Sequence, residues 1–101
     1  MGYLWMVLAG ALLCNCIPHL ASGLRGEPFP TPFAKPLGKG LSPPLVNFAW
    51  GSANFFGAVA LAAWRAPLGD CRINVGAAAI GWLAIGAYLA LHFGAVRKGR
   101  G

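Results

Sequence analysis

The chain has 101 residues, 57% of them hydrophobic and 10% charged, with eight Lys or Arg against two Asp or Glu. A water-soluble domain carries about 25% charged residues, and a disordered segment is polar and charge-rich, so both classes are excluded. The net charge of +6 raises nucleic acid as a partner, but the charges flank apolar runs and mark membrane topology, so no nucleic-acid partner is expected.

Residues 3–24, 45–64 and 75–96 contain no Lys, Arg, Asp or Glu. Each run is long enough to cross the hydrocarbon core once as a helix. Backbone groups in lipid must pair within their own segment, which selects helices. A β-barrel is excluded, because apolar/polar alternation is absent and three strands cannot close. The pattern predicts one all-α domain over residues 1–101, an integral membrane three-helix bundle. It also predicts a Pro-rich extended loop at 25–44, a hairpin at 65–74 and a basic tail at 97–101.

The first run reads as a retained helix rather than a signal peptide. Met1-Gly2-Tyr3 lacks a basic side chain, and the apolar core before Ala9-Gly10-Ala11 is too short. Leu13 and Asn15 precede Cys14 and Cys16, where a lipoprotein site wants a small residue. This helix carries Cys14, Asn15, Cys16, His19 and Ser22. Asn15, His19 and Ser22 fall on one helical stripe. Pro18 cannot donate to the Cys14 carbonyl, and a kink there opens room beside Asn15 and His19.

The 25–44 loop holds six of the eight prolines. Proline at alternate positions in Glu27-Pro28-Phe29-Pro30-Thr31-Pro32-Phe33 forbids helix and favours an extended path. Phe29 and Phe33 are expected among the headgroups or against the helix ends. Ser42 reads as an N-cap with Pro43 at the first helical position. The helix start beside Lys39, Gly40 and Ser42 is a candidate anion or headgroup site; the alternative is a glycine hinge with a solvated lysine.

The block running from Pro18-His19-Leu20 through Pro28-Phe29, Pro32-Phe33-Ala34, Pro36, Gly38-Lys39-Gly40-Leu41-Ser42 and Val46-Asn47 to Trp50-Gly51 resembles a family of small uncharacterised bacterial membrane proteins. The resemblance implies a membrane protein with a structured first loop. It implies no activity and carries over no catalytic or binding residue.

Helix two adds Asn47, Ser52 and Asn54, with small residues at Ala49, Ala53 and Gly57. Pro67, Gly69 and Asp70 are turn formers for the hairpin. Cys71 follows, and the odd number of cysteines gives no disulfide framework. Helix three adds Tyr88 and His92, with small residues at Gly86, Ala90 and Gly94. Either small-residue stripe can serve packing inside the bundle or against a partner. Trp5 and Trp64 read as interfacial anchors, and Trp50 and Trp82 as packed.

Counting Lys and Arg, the first loop and the tail hold six and the opposite side two. The positive-inside rule then puts the amino terminus outside and the carboxyl terminus in the cytoplasm, in a bacterial inner membrane. With that orientation Asn15, His19, Asn47, Asn54, Tyr88 and His92 share the cytoplasmic half, beneath the Pro-rich loop. They form a candidate ligand-binding cluster; the alternative is that they only bond helix to helix.

Sharper chemistry is weaker. Cys14 and Cys16 point apart on a helix, so no metal site is expected. Cys16 and His19 lack an orienting acid. His19 and His92 offer a haem-ligation alternative. No carboxylate lies within a run, against a carboxylate-coupled exporter. The sequence therefore reads as a small non-enzymatic accessory or assembly subunit, without a predicted cofactor. Its expected partners are membrane lipids and either further copies of itself or a larger membrane complex. The alternative is a lipid- or amphiphile-binding membrane protein, and a haem or redox subunit stands third.

Overall fold

The structure is a computed structural model that describes residues 2–36 and 39–100, for Arg100 the backbone alone. It comprises helix α1 (Tyr3–Leu24), strands β1 (Phe29–Pro30) and β2 (Leu41–Ser42), helix α2 (Pro44–Arg65), a 3-10 turn at Ala66–Leu68, and helix α3 (Cys71–Arg100). All three helices are long and apolar enough to cross a membrane. The longest dimension is 45 Å, which matches a bilayer of about 40–45 Å including its headgroups. The chain is thus a small multi-pass, all-α membrane protein.

α1 is central. α2 and α3 each pack along it and scarcely touch one another. The antiparallel α1–α2 seam buries Asn47, Gly51, Asn54 and Ala58 of α2. A Cβ on Gly51 would lie 2.9 Å from the Leu20 backbone nitrogen, so glycine is what lets these helices close. α1 and α3 run parallel and cross closest at Gly10 and Gly81. A side chain on Gly10 would overlap the Ala78 carbonyl, and one on Gly81 the Val7 carbonyl. Such small-residue crossings replace the hydrophobic effect, which does not operate between helices in lipid.

These seams leave most of the small-residue stripes unused inside the bundle. Ala49 and Ala53 of α2, and Ala90 and Gly94 of α3, face outward. Gly86 alone of the α3 stripe meets α1, where a Cβ would lie 3.2 Å from Cys14 Sγ. A four-residue spacing identifies a smooth face but not which of several faces is used. Trp82 is likewise exposed rather than packed, because Gly81 beside it takes the inward direction.

α1 ends in a Schellman motif. Gly26 adopts φ +71°, its N–H reaches the Gly23 carbonyl, and the Glu27 N–H reaches the Ser22 carbonyl. Only a residue free of a Cβ enters that conformation at no cost. The loop then runs extended, as its prolines require. β1 and β2 pair antiparallel, Phe29 opposite Ser42 and Pro30 opposite Leu41.

Two expected boundaries move. α2 begins at Pro44 with Pro43 as its cap residue and no side-chain cap. Ser42 is therefore not the N-cap; its hydroxyl is 2.6 Å from Thr31 Oγ1. The hairpin at 65–74 is shorter than its charge pattern implies. α3 starts at Cys71, capped by Asp70 Oδ1, which accepts from the N–H groups of Arg72 and Ile73 at 2.9 and 3.3 Å. It continues through the basic tail, where Arg97 and Lys98 complement the helix dipole. The uncharged run marks what spans lipid, not where the helix stops.

Candidate functional site

At the loop end of the bundle, α1 presents polar side chains to both neighbours. His19 is 2% exposed and Asn47 0%. His19 Nδ1 lies 2.7 Å from Asn47 Oδ1. Asn47 Nδ2 donates to the carbonyls of Phe29 and Ser42, both at 3.0 Å, and approaches that of Pro43 at 3.3 Å. Asn47 therefore ties α1, both strands and the start of α2 together. Two turns further along α2, Asn54 Nδ2 donates to the Trp50 carbonyl at 2.8 Å. Its Oδ1 accepts from Asn15 Nδ2 at 3.0 Å. The expected convergence of Asn15, His19, Asn47 and Asn54 beneath the loop is thus present in the geometry.

The network fixes proton positions. Three carbonyls surround one end of the Asn47 amide, so that end is the NH2 group and Oδ1 faces His19. An acceptor there makes His19 Nδ1 the donor. Among the described residues the ring makes no other hydrogen bond. Glu27 lies in the loop, paired with Arg25 at 2.6 Å, and Asp70 caps α3 at the other end, so among the described residues no carboxylate side chain lies beside the imidazole. An unpaired charge in an apolar interior is costly. A neutral ring with its proton on Nδ1 leaves the lone pair on Nε2.

Aromatic rings wall the histidine. Phe29 stands edge-on to it at 5.4 Å, and Trp50 and Phe93 at 6.5 Å. Phe93 also meets Phe29 at 4.7 Å. Phe33 packs on Trp50 at 5.5 Å. Both loop phenylalanines thus rest against helix ends. Tyr88 and His92 stack, 5.7 Å apart and 8° from parallel, as residues four apart on one helix face can.

Between α1, α3 and β1 with the residues after it lies a cavity of about 310 Å³, lined by Asn15, His19, Thr31, Tyr88 and His92 and by Leu8, Leu12, Ile85 and Leu89. α1 and α3 are parallel, so their residues rank by depth. His19, Thr31 and His92 stand at the loop end, Asn15, Tyr88 and Leu89 in between, and Leu8, Leu12 and Ile85 toward the bilayer middle. The cavity is polar at one end and apolar along its length. Trp50 Nε1 is also buried without an acceptor, but Trp50 does not line this cavity.

The other expected sites fare differently. Lys39 and Gly40 border a separate groove over the end of α3 with His92. Ser42 does not join them, because its hydroxyl is engaged by Thr31 and its carbonyl by Asn47. His19 and His92 line the same cavity, with Phe93 packed against both rings. Among the described residues, no group of three His, Cys, Asp or Glu is placed to hold a metal ion. Cys14 faces α3, whereas Cys16 Sγ donates to the Leu13 carbonyl at 2.9 Å. All three cysteines are free, Cys71 exposed.

Thr31 and Phe93 belong to the site and carry no flag in the sequence. Thr31 sits between two prolines and Phe93 beside His92; only the strand pairing and the parallel α1–α3 packing bring them to His19. Compared with protein-family models, with curated proteins and with solved structures, the chain gave no match.

Proposed function

We propose that this is a non-enzymatic membrane protein that binds a lipid or other amphiphile in the cavity between α1 and α3. One observation carries the reading: a single cavity joins a polar end at His19 to an apolar length at Leu8, Leu12, Ile85 and Leu89. An amphiphile in a bilayer has the same polarity profile. Ligand sites of this kind are largely apolar, with a few placed polar groups that set orientation. The working environment is a membrane of the bacterial inner type, with the loop and the carboxyl terminus in the cytoplasm. The excess of Lys and Arg at the loop and tail supports that orientation.

Lipid mass spectrometry on protein purified in mild detergent tests the reading. The expected result is one bound amphiphile per cavity that survives washing. Replacing Leu12 and Ile85 together with Phe should fill the apolar length and abolish retention while the fold persists. Retention equal to that of the unaltered protein would contradict the assignment.

A second reading is an accessory or assembly subunit. Its support is the outward placement of Ala90 and Gly94 on α3 and of Ala49 and Ala53 on α2, faces on which another helix can approach closely. Native mass measurement from gently solubilised membranes separates the two. A stoichiometric partner protein or second copy favours assembly, and a monomer carrying an amphiphile favours binding.

A further inference from the structure

The His19 ring is 98% buried by its 2% exposure, lines the cavity and has a hydrogen bond at Nδ1 alone. Nδ1 is directed at Asn47 on α2, and Nε2 is not among the polar atoms buried without a partner, so it opens on the cavity that the ring lines. Asn47 holds Nδ1 as the donor, which leaves Nε2 an acceptor. An acceptor that opens only onto a largely apolar cavity gains a partner when a ligand supplies the donor.

Asn15 stands one turn before His19 on the same cavity wall. The Trp50 carbonyl fixes the Asn54 amide, and Asn54 Oδ1 fixes the Asn15 NH2 group. Asn15 therefore has one N–H and its Oδ1 left over. A hydroxyl suits this pair, because it donates to one atom and accepts from another. An ether oxygen or an ester carbonyl can only accept, and leaves Nε2 bare. A carboxylate brings a charge into a site lined by no Lys or Arg among the described residues.

Resting on the amphiphile-binding reading above, we infer that the occupant is a neutral amphiphile headed by a hydroxyl group, which donates its proton in a hydrogen bond to His19 Nε2. Its apolar body lies along Leu8, Leu12, Ile85 and Leu89.

The test uses the whole protein in lipid nanodiscs, with 1-dodecanol, 1-methoxydodecane and dodecanoate supplied at matched membrane fractions. Occupancy is read by native mass spectrometry, and the His19 ring nitrogens by 15N NMR. Dodecanol should half-fill the site at a membrane fraction at least tenfold below that of its methyl ether, and should move the Nε2 resonance with little change at Nδ1. Dodecanoate should bind no better than the ether. In His19→Phe, the alcohol-to-ether ratio should fall to about one while the ether still binds. Because the unaltered protein supplies both the occupancy ratio and the resonance, the test survives a variant that fails to fold. Equal occupancy by alcohol and ether would overturn the donor inference and leave amphiphile binding intact. A ratio that persists in His19→Phe would remove His19 from the role. Occupancy by none of the three would overturn the amphiphile reading itself and the inference with it.

Discussion

The two seams of α1 are built by different means. Toward α2, side-chain hydrogen bonds join the helices: His19 to Asn47 and Asn15 to Asn54. Toward α3, the contact is backbone on backbone at Gly10 and Gly81, and the side-chain bond there is at the far end, where the Tyr3 hydroxyl accepts from the Asp70 N–H that precedes α3. The first seam stays closed along the bundle. The second is tight near the amino terminus and opens into the cavity at the loop end. A polar stripe on one central helix thus does two jobs. One edge of His19 is spent on packing against α2, and that same bond presents the other edge on the side where the second seam opens.

Breaking the glycine crossing should have the largest effect. Gly81→Leu drives a side chain into the Val7 carbonyl, a backbone atom that cannot swing aside. Overpacking typically costs about 1–3 kcal/mol and more where backbone must move. Thermal unfolding in detergent should show a large loss of stability or no folded protein. Stability equal to the parent would mean that α1 and α3 do not cross there.

Asn47→Leu comes next, and it sharpens the contrast because it acts on the other seam. It orphans His19 Nδ1 and removes the second donor from the carbonyls of Phe29 and Ser42, which keep their strand pairing. Each buried group left unpaired costs about 1–3 kcal/mol. The loop should also detach, so proteolysis between residues 25 and 44 should accelerate. Unchanged protection of the loop would show that Asn47 does not hold it.

The Asn15–Asn54 bond should matter less. A double-mutant cycle with Leu at each position should return a coupling of about 0.6 kcal/mol, the average for such bonds inside membranes. A coupling near zero would show that this contact is incidental. Smallest of all is Arg25→Ala. Its pairing with Glu27 is exposed on both sides, and such pairs contribute about 0–1 kcal/mol. A large loss of stability here would indicate a role for Arg25 beyond that ion pair.

The contrast between the seams also separates what was legible from what was not. The three uncharged runs expose the helices directly, since a charge inside lipid is costly. The α1–α2 seam was legible too. Asn15 and His19 stand four apart, Asn47 and Asn54 seven apart, and polar groups in lipid turn toward one another. The α1–α3 seam was not, because the chain has fifteen glycines and nothing local distinguishes Gly10 and Gly81 from Gly94 or Gly57. Ser42 misled for a related reason. A serine before prolines favours a cap locally, but Thr31 competes for its hydroxyl once β1 and β2 pair. The cavity is a property of two helices diverging, and no single segment encodes it.

The claim on which the site rests is that Asn47 fixes the His19 tautomer. The 15N spectrum of ring-labelled His19 in lipid-reconstituted protein reads this directly. The account predicts a neutral ring with the proton on Nδ1 and a bare Nε2. A proton on Nε2 instead would contradict it, since His19 would then accept at Nδ1, the Asn47 amide would have to be reversed, and the cavity would face a donor.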